Sequence, residues 1–108
     1  PVERTAYGKP APDVKNKAVI ANIGQAHIEL VQPIAGKSIQ KKFLETRGEG
    51  INHLGFVVDD LDKETTRLIE KGFKVISSGK FARGGGMTYF NTDRVGGVQL
   101  ELIQWPPE

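Results

Sequence analysis

Hydrophobic and polar residues alternate with a period of two along much of this chain, which is typical of β-strands with one buried face. Two other stretches have the spacing of amphipathic helices, at about Ser38–Thr46 and Leu61–Lys71. Ser38 can cap the first helix, and Asp60 or Asp62 the second. The alternating pattern predicts strands at Val2–Tyr7, Lys17–Ile23, Ala26–Val31, Ile51–Val58, Phe73–Ser77, Met87–Asn91 and Val98–Ile103.

Glycine and proline mark the breaks between these elements. Pro33 is expected to end the third strand, and Gly72 to end the second helix in a left-handed conformation. Ser78–Gly86 is predicted to be a glycine-rich loop and Thr92–Gly97 a turn. The apolar stripes predict that four side chains belong to the core: Phe43, Phe56, Leu68 and Ile69. The order of elements predicts an α+β domain built on antiparallel sheet.

Composition limits the possible functions. A chain of 108 residues forms one domain. It has no cysteine, which excludes disulfides and thiolate chemistry, and its net charge is only +2 with basic and acidic residues interspersed. We therefore expect no nucleic-acid partner. The chain has neither a membrane-spanning apolar run nor a signal-peptide pattern at its start, so we expect a cytoplasmic protein without a membrane partner.

Three predicted strands carry a possible metal ligand near their middle. These residues are Glu29, His53 and Glu101, and both glutamates lie between apolar neighbours. A charge in the middle of a strand is costly to bury unless it is paired or bound to an ion. An imidazole with two carboxylates suits Co, Mn, Ni or Zn. Alternatively, both glutamates face solvent on strands covered on one side only, and His53 is an ordinary surface or core histidine.

Three segments, in order, resemble the vicinal oxygen chelate superfamily, which contains glyoxalase I, bleomycin-resistance proteins and extradiol dioxygenases. They are Gly24–Leu30 followed by Pro33, Gly50–Asp60, and Gly96–Leu102. Within that superfamily the chain is most similar to methylmalonyl-CoA epimerases, from about Lys17 to Pro106.

The resemblance implies a fold of paired βαβββ modules that form a curved, antiparallel-rich sheet around one divalent metal. Residues 1–35 are then a partial first module, 36–50 a connecting helix and loop, and 51–108 a complete second module of one glyoxalase-like domain. The first module lacks its opening strand and helix, which would carry a histidine ligand. The chain starts at Pro1 rather than Met, so either that part lies outside this sequence or the protein completes the site otherwise.

The resemblance also implies roles for individual residues. Glu29, His53 and Glu101 become the metal ligands, and Glu101 is in addition the base that removes a proton while an enolate forms. No second carboxylate base is found on Lys17–Ile23. His27 shares a face with Glu29 and either substitutes for that base or only lines the pocket. The loop Arg83, Gly84, Gly85 and Gly86 either binds a phosphate or carboxylate of the substrate or is a mobile hairpin connection.

The function that follows is a metal-dependent isomerase or lyase, similar to methylmalonyl-CoA epimerase or lactoylglutathione lyase. Its substrate would be a small acyl thioester or a 2-oxo or hydroxy compound. The alternative is a non-catalytic protein of the same fold that binds a small molecule of the antibiotic type. Extradiol dioxygenation is a third possibility, although those enzymes are usually longer and use iron with two histidines. Dimers are common in the superfamily, and we expect a homodimer here.

Overall fold

The structure, a computed structural model, describes residues 2–94 and 96–108. Val95, within the predicted turn at Thr92–Gly97, lies outside the described residues. The described chain has two helices and eight strands, which confirms the predicted α+β class. In order, the elements are β1 (Val2–Ala6), β2 (Lys9–Pro10), β3 (Lys15–Ile23), β4 (Ala26–Ala35), α1 (Ile39–Arg47), β5 (His53–Val57), α2 (Leu61–Glu70), β6 (Val75–Lys80), β7 (Gly86–Phe90), a 3₁₀ turn (Thr92–Arg94) and β8 (Gln99–Gln104).

Six of the strands form one mixed sheet in the order β2-β1-β6-β7-β8-β5. Only the pairing of β5 with β8 is parallel, and every other neighbour in this sheet is antiparallel. A parallel pair needs a long crossover connection, which α2 and the strands after it provide. Among the described residues, the remaining strands β3 and β4 pair only with each other, as a long antiparallel hairpin.

Both helices begin at the predicted caps. The Ser38 hydroxyl accepts a hydrogen bond from the Lys41 backbone N–H at 3.0 Å, and the Asp60 carboxylate accepts one from the Lys63 N–H at 3.1 Å. Gly72 follows α2 with a φ of +96°, the conformation in which a side chain would be strained. Capping of this kind stabilises a helix by about 1 kcal/mol.

Helix α2 packs on the face of β7 and β8 that is opposite to Glu101. The Thr65 hydroxyl donates to the Thr88 hydroxyl at 3.4 Å across this contact. Phe90 and Leu102 are buried on the same face of the sheet. The helix therefore covers one face of these strands and leaves the other face available for polar side chains.

Pro33 does not end the third strand, contrary to the sequence prediction. Strand β4 continues to Ala35, and Pro33 pairs with Asn16 of β3. In a sheet of two strands each strand has one unpaired edge, so the missing N–H of a proline can face that edge. The ladder becomes irregular beside Asn16, where the proline is accommodated.

The predicted loop Ser78–Gly86 is also shorter than expected. Strand β6 runs to Lys80 because Ser78 pairs with both Thr5 of β1 and Thr88 of β7. These partners are far away in the sequence, so the local preference of serine and glycine for loops is overridden.

The prediction that Phe56 and Ile69 belong to the core is wrong. Both side chains are about half exposed, at 52% and 51%. Strand β5 lies at the edge of the six-stranded sheet, and α2 packs mainly on β7 and β8. Phe43 and Leu68 are partly buried. Within the described residues, no helix has the length and apolar character needed to cross a membrane.

Candidate functional site

The side chains of His53 and Glu101 meet on the face of the sheet opposite to α2. Glu101 lies directly across from Gly55 on β5 and from Tyr89 on β7. His53 precedes Gly55 by two residues and therefore points to the same face. The imidazole Nε2 lies 3.4 Å from a Glu101 carboxyl oxygen, with both side chains largely buried. Two of the three predicted ligands are thus brought together.

Gly55 makes room for the Glu101 carboxyl group. A Cβ added to Gly55 would lie 2.9 Å from Glu101 Oε1, closer than an ordinary van der Waals contact. The carboxyl group therefore occupies the space that a side chain would need. Sequence reasoning assigned no role to Gly55, although a glycine inside a strand is a signal of close approach by another group.

Burial dominates the charge state of Glu101. It raises the pKa of this carboxyl from 4.5 to about 7; the Tyr89 hydroxyl interacts with the carboxylate and partly offsets the rise, whereas the charge of Glu29 adds to it. A carboxyl group with a pKa near neutrality exchanges protons readily at physiological pH, which is the property of a general acid or base.

The two neighbours of this carboxyl group, His53 and Tyr89, are both uncharged near pH 7. Burial lowers the pKa of His53, and the negative charge of Glu29 opposes that change only in part, so the ring is neutral near pH 7. The Tyr89 ring packs edge-on against the imidazole with 5.2 Å between centroids. Burial also raises the pKa of Tyr89, so its hydroxyl remains protonated and able to donate. Sequence analysis missed Tyr89 because only the pairing of β7 with β8 places it here.

Glu29 and His27 lie on the β3–β4 hairpin and are exposed. Glu29 is close enough for its charge to act on the pKa of His53, Glu101 and Tyr89. In the part of the chain that the structure describes, however, no three His, Asp or Glu residues form a compact group suited to a metal. The role of Glu29 as a third ligand, and that of His27, remain predictions.

The glycine loop is a tight turn held against the end of β8. The Gly84 N–H donates to the Phe81 carbonyl at 3.1 Å, and the Phe81 N–H donates to the Gly85 carbonyl at 3.2 Å. Gly85 has a φ of +77°, and a Cβ there would collide with the Gln104 carbonyl. The glycines are thus required by the backbone. Binding of substrate by Arg83, Gly84, Gly85 and Gly86 remains a prediction.

The Phe81 and Trp105 rings stack across this loop, with 5.8 Å between centroids and 9° between planes. Phe81 follows β6 and Trp105 follows β8, and the strand alternation places both on the face that carries Glu101. The stack connects the loop to the C-terminal residues.

The profile of the glyoxalase/bleomycin resistance protein/dioxygenase superfamily matches residues 3–92. The chain belongs to this superfamily.

Individual relatives of this glyoxalase-superfamily protein are distant. The protein YqjC of Bacillus subtilis is 26% identical over 85 residues, which are 75% of this chain and 59% of YqjC. The chain therefore spans only about three-fifths of that relative. The hypothetical protein BH1468 of Bacillus halodurans has a similar structure, with a TM-score of 0.70 and 24% identity, covering 91% of this chain and 77% of BH1468.

Methylmalonyl-CoA epimerases are among the similar structures. The enzyme of Mycobacterium tuberculosis gives a TM-score of 0.66 at 24% identity, covering 90% of this chain and 73% of the enzyme. The Streptomyces coelicolor enzyme in complex with 2-nitronate-propionyl-CoA gives 0.64 at 23% identity, covering 85% and 70%. At these identities the similarity establishes a common fold.

Gly55→Ala is expected to displace the Glu101 carboxyl group of this glyoxalase-superfamily protein without unfolding it. The atom that the new methyl group meets is the end of a flexible side chain, so the free energy of unfolding should fall by only about 1 kcal/mol. A displacement of about 1 Å at a reacting group can lower the rate by about 100-fold. Urea unfolding and steady-state kinetics measure the two effects.

Gly50→Ala is the matched control, because a Cβ at Gly50 meets nothing within 4 Å. It should leave both quantities nearly unchanged. If Gly55→Ala were as active as the wild type, Glu101 would not be the base that the resemblance to the superfamily implies.

Proposed function

We propose that this protein is a divalent-metal-dependent isomerase or lyase, similar to methylmalonyl-CoA epimerase or lactoylglutathione lyase. It would abstract a proton next to the carbonyl group of a small acyl thioester or a 2-oxo or hydroxy compound. The observation that carries the proposal is the buried pair of His53 and Glu101, whose side chains approach to 3.4 Å in a superfamily to which the chain belongs.

The donor atoms of this pair are compatible with a metal ion. A neutral imidazole nitrogen and a carboxylate oxygen converge, and both suit Co, Mn, Ni or Zn. His53 and Glu101 would hold the ion, and Glu29 would join them. When bound, such an ion supplies positive charge that stabilises an enolate oxygen.

The protein's own residues would perform the proton transfer. Glu101 would remove the proton from the substrate carbon and return it, because a carboxyl group within reach of that carbon can act first as a base and then as an acid. The Tyr89 hydroxyl, which stays protonated at physiological pH, favours the ionised form of Glu101. One base explains exchange of the proton on one face of the carbon. Inversion needs a group on the other face, and His27 is the candidate because Lys15–Ile23 of β3 has no carboxylate.

Two measurements test this proposal. Purified protein reloaded with Co, Mn, Ni or Zn should contain about one ion per chain by elemental analysis. Incubation with methylmalonyl-CoA in deuterium oxide should introduce deuterium at the carbon next to the thioester. Exchange without racemisation would indicate a single base, and activity only on a glutathione hemithioacetal would indicate the lyase. Metal content near zero after reloading would contradict metal dependence.

A non-catalytic binding protein of the antibiotic-sequestering type is the second candidate. It is favoured by one observation, namely that the described residues contain no compact group of three metal ligands. This candidate predicts tight binding of a bleomycin-type compound in metal-free buffer and no proton exchange. We expect cytoplasmic location and no membrane or nucleic-acid partner in either case.

Self-association is expected to use the β3–β4 hairpin. Val19 and Leu30 are directly paired and about 55% and 64% exposed, and Ile28 on the same face is 49% exposed. We expect a homodimer that buries this face, because covering apolar surface is favourable by about 25 cal/mol per Å². Sedimentation velocity should show a dimer, and Leu30→Lys should shift it to monomer. Ile69→Lys, on the exposed side of α2, is the control; a monomeric wild type would refute the prediction.

A further inference from the structure

His53 is held by a chain of side-chain contacts that runs away from the candidate site. Its Nδ1 atom lies 3.0 Å from the Asn52 side-chain oxygen. The Asn52 side-chain nitrogen in turn donates to the Gln99 side-chain oxygen at 3.3 Å. Gln99 is directly opposite His53 in the parallel pairing of β5 with β8, and it is only 4% exposed. Its backbone N–H also donates to the Asn52 carbonyl at 2.9 Å.

This arrangement of contacts favours one tautomer of the imidazole. The Asn52 NH₂ group donates to the Gln99 side-chain oxygen, and the Asn52 side-chain oxygen faces the imidazole. An amide oxygen can only accept a hydrogen bond, so Nδ1 must be the protonated nitrogen of a neutral ring. Nε2 then presents a lone pair toward Glu101, 3.4 Å away.

We infer that Asn52 and Gln99 are positioning residues, which fix His53 in the tautomer whose Nε2 is free to bind a cation or accept a proton. The unprotonated Nε2 then faces a Glu101 carboxyl oxygen, and a proton or a positive ion between the two atoms would stabilise this arrangement. Partners of this kind typically change metal affinity by about 10–100-fold. The role of this tautomer in binding or catalysis rests on the proposed function. The tautomer itself is inferred from the side-chain contacts alone.

The tautomer can be measured directly in the metal-free full chain. Long-range ¹⁵N–¹H correlation spectra distinguish the protonated from the unprotonated ring nitrogen, at a pH where the ring is neutral. The chain has only two histidines, so a His27→Gln variant assigns the signals of His53. We expect Nδ1 to be protonated. A wild-type ring protonated at Nε2 would overturn the inference.

Four variants test the two amide side chains. Asn52→Leu removes the acceptor and Gln99→Met removes the anchor of the Asn52 amide, so both should produce a mixture of tautomers. Asn52→Asp keeps an acceptor oxygen and should retain protonated Nδ1. Gln32→Met, at an exposed position of β4, is the control and should behave as the wild type. Unchanged spectra in Asn52→Leu would show that Asn52 does not set the tautomer.

Zinc titration by calorimetry connects the tautomer to binding. Asn52→Leu and Gln99→Met should bind zinc about 10–100-fold more weakly than the wild type, and Asn52→Asp should not. If the wild type binds no zinc, Co, Mn or Ni, the proposed metal-dependent function fails, and the spectra still decide whether Asn52 and Gln99 fix the ring. Equal zinc affinity in all variants would overturn the positioning role.

Discussion

Glu101→Gln is expected to reduce proton exchange at the substrate carbon by about 10²–10⁴-fold, the usual contribution of a general base. Glutamine has nearly the shape of glutamate and can still contact His53 and Tyr89, but it cannot take up a proton at neutral pH. The protein should fold, since an uncharged amide is less costly to bury than a carboxylate that requires a pKa of about 7. Deuterium incorporation into methylmalonyl-CoA measures the loss.

A control variant distinguishes the loss of the proposed base from the loss of one negative charge anywhere on the protein. Glu70→Gln removes one exposed carboxylate at the end of α2 and should leave the exchange rate unchanged. Circular dichroism and the urea midpoint confirm that both variants are folded. Glu101→Gln with exchange within about threefold of the wild type would mean that another residue is the base.

Much of the candidate site could be predicted from residues within single strands. His53 and Glu101 each lie in a stretch with clear alternation, so their presence on a strand could be inferred from neighbours alone. Their contact depends on β5 pairing with β8 in parallel, across about half of the chain. The resemblance to the superfamily assigned both residues to one site but did not predict that pairing, because periodicity within a strand contains no information about its partner.

The features that could not be predicted depend on register or on packing between distant elements. Tyr89 faces Glu101 only because the β7–β8 register places them opposite each other. Phe56 has the pattern of a core residue, yet it lies on an edge strand that α2 does not cover. Glu29 lies on a separate hairpin, so its distance from His53 is determined by how that hairpin packs and not by its own strand.

Stability of the metal-free protein is expected to depend on pH through Glu101. Its pKa is higher in the folded state than the ordinary value of 4.5, so the folded state binds this proton more tightly. The resulting stability is fully present below about pH 4.5 and is lost as the pH rises through about 7. The difference between the folded-state pKa and the ordinary pKa of Glu101 corresponds to about 3 kcal/mol of folding free energy.

His53 produces the opposite trend at lower pH. Burial lowers its pKa in the folded state below the ordinary value of 6.5, so the stability it contributes is present above that value and lost as the pH falls. Just below pH 6.5 the two side chains therefore change the stability in opposite directions. Above pH 6.5 only the ionisation of Glu101 still lowers the folding stability. Measurements from about pH 6.5 to pH 8 therefore report the contribution of Glu101 alone.

Urea unfolding of metal-free protein across this range measures the effect, with the slope of free energy against pH as the observable. The wild type should lose stability as the pH rises, because ionisation leaves a carboxylate buried between Tyr89 and a neutral imidazole. Glu101→Gln should abolish that loss and become the more stable protein at about pH 8. Glu70→Gln should retain the wild-type slope. If the unfolding free energy of the wild type changed with pH as little as that of Glu101→Gln, the Glu101 carboxyl group would titrate as it does in water. The buried pair of His53 and Glu101 would then have no electrostatic preference for a cation.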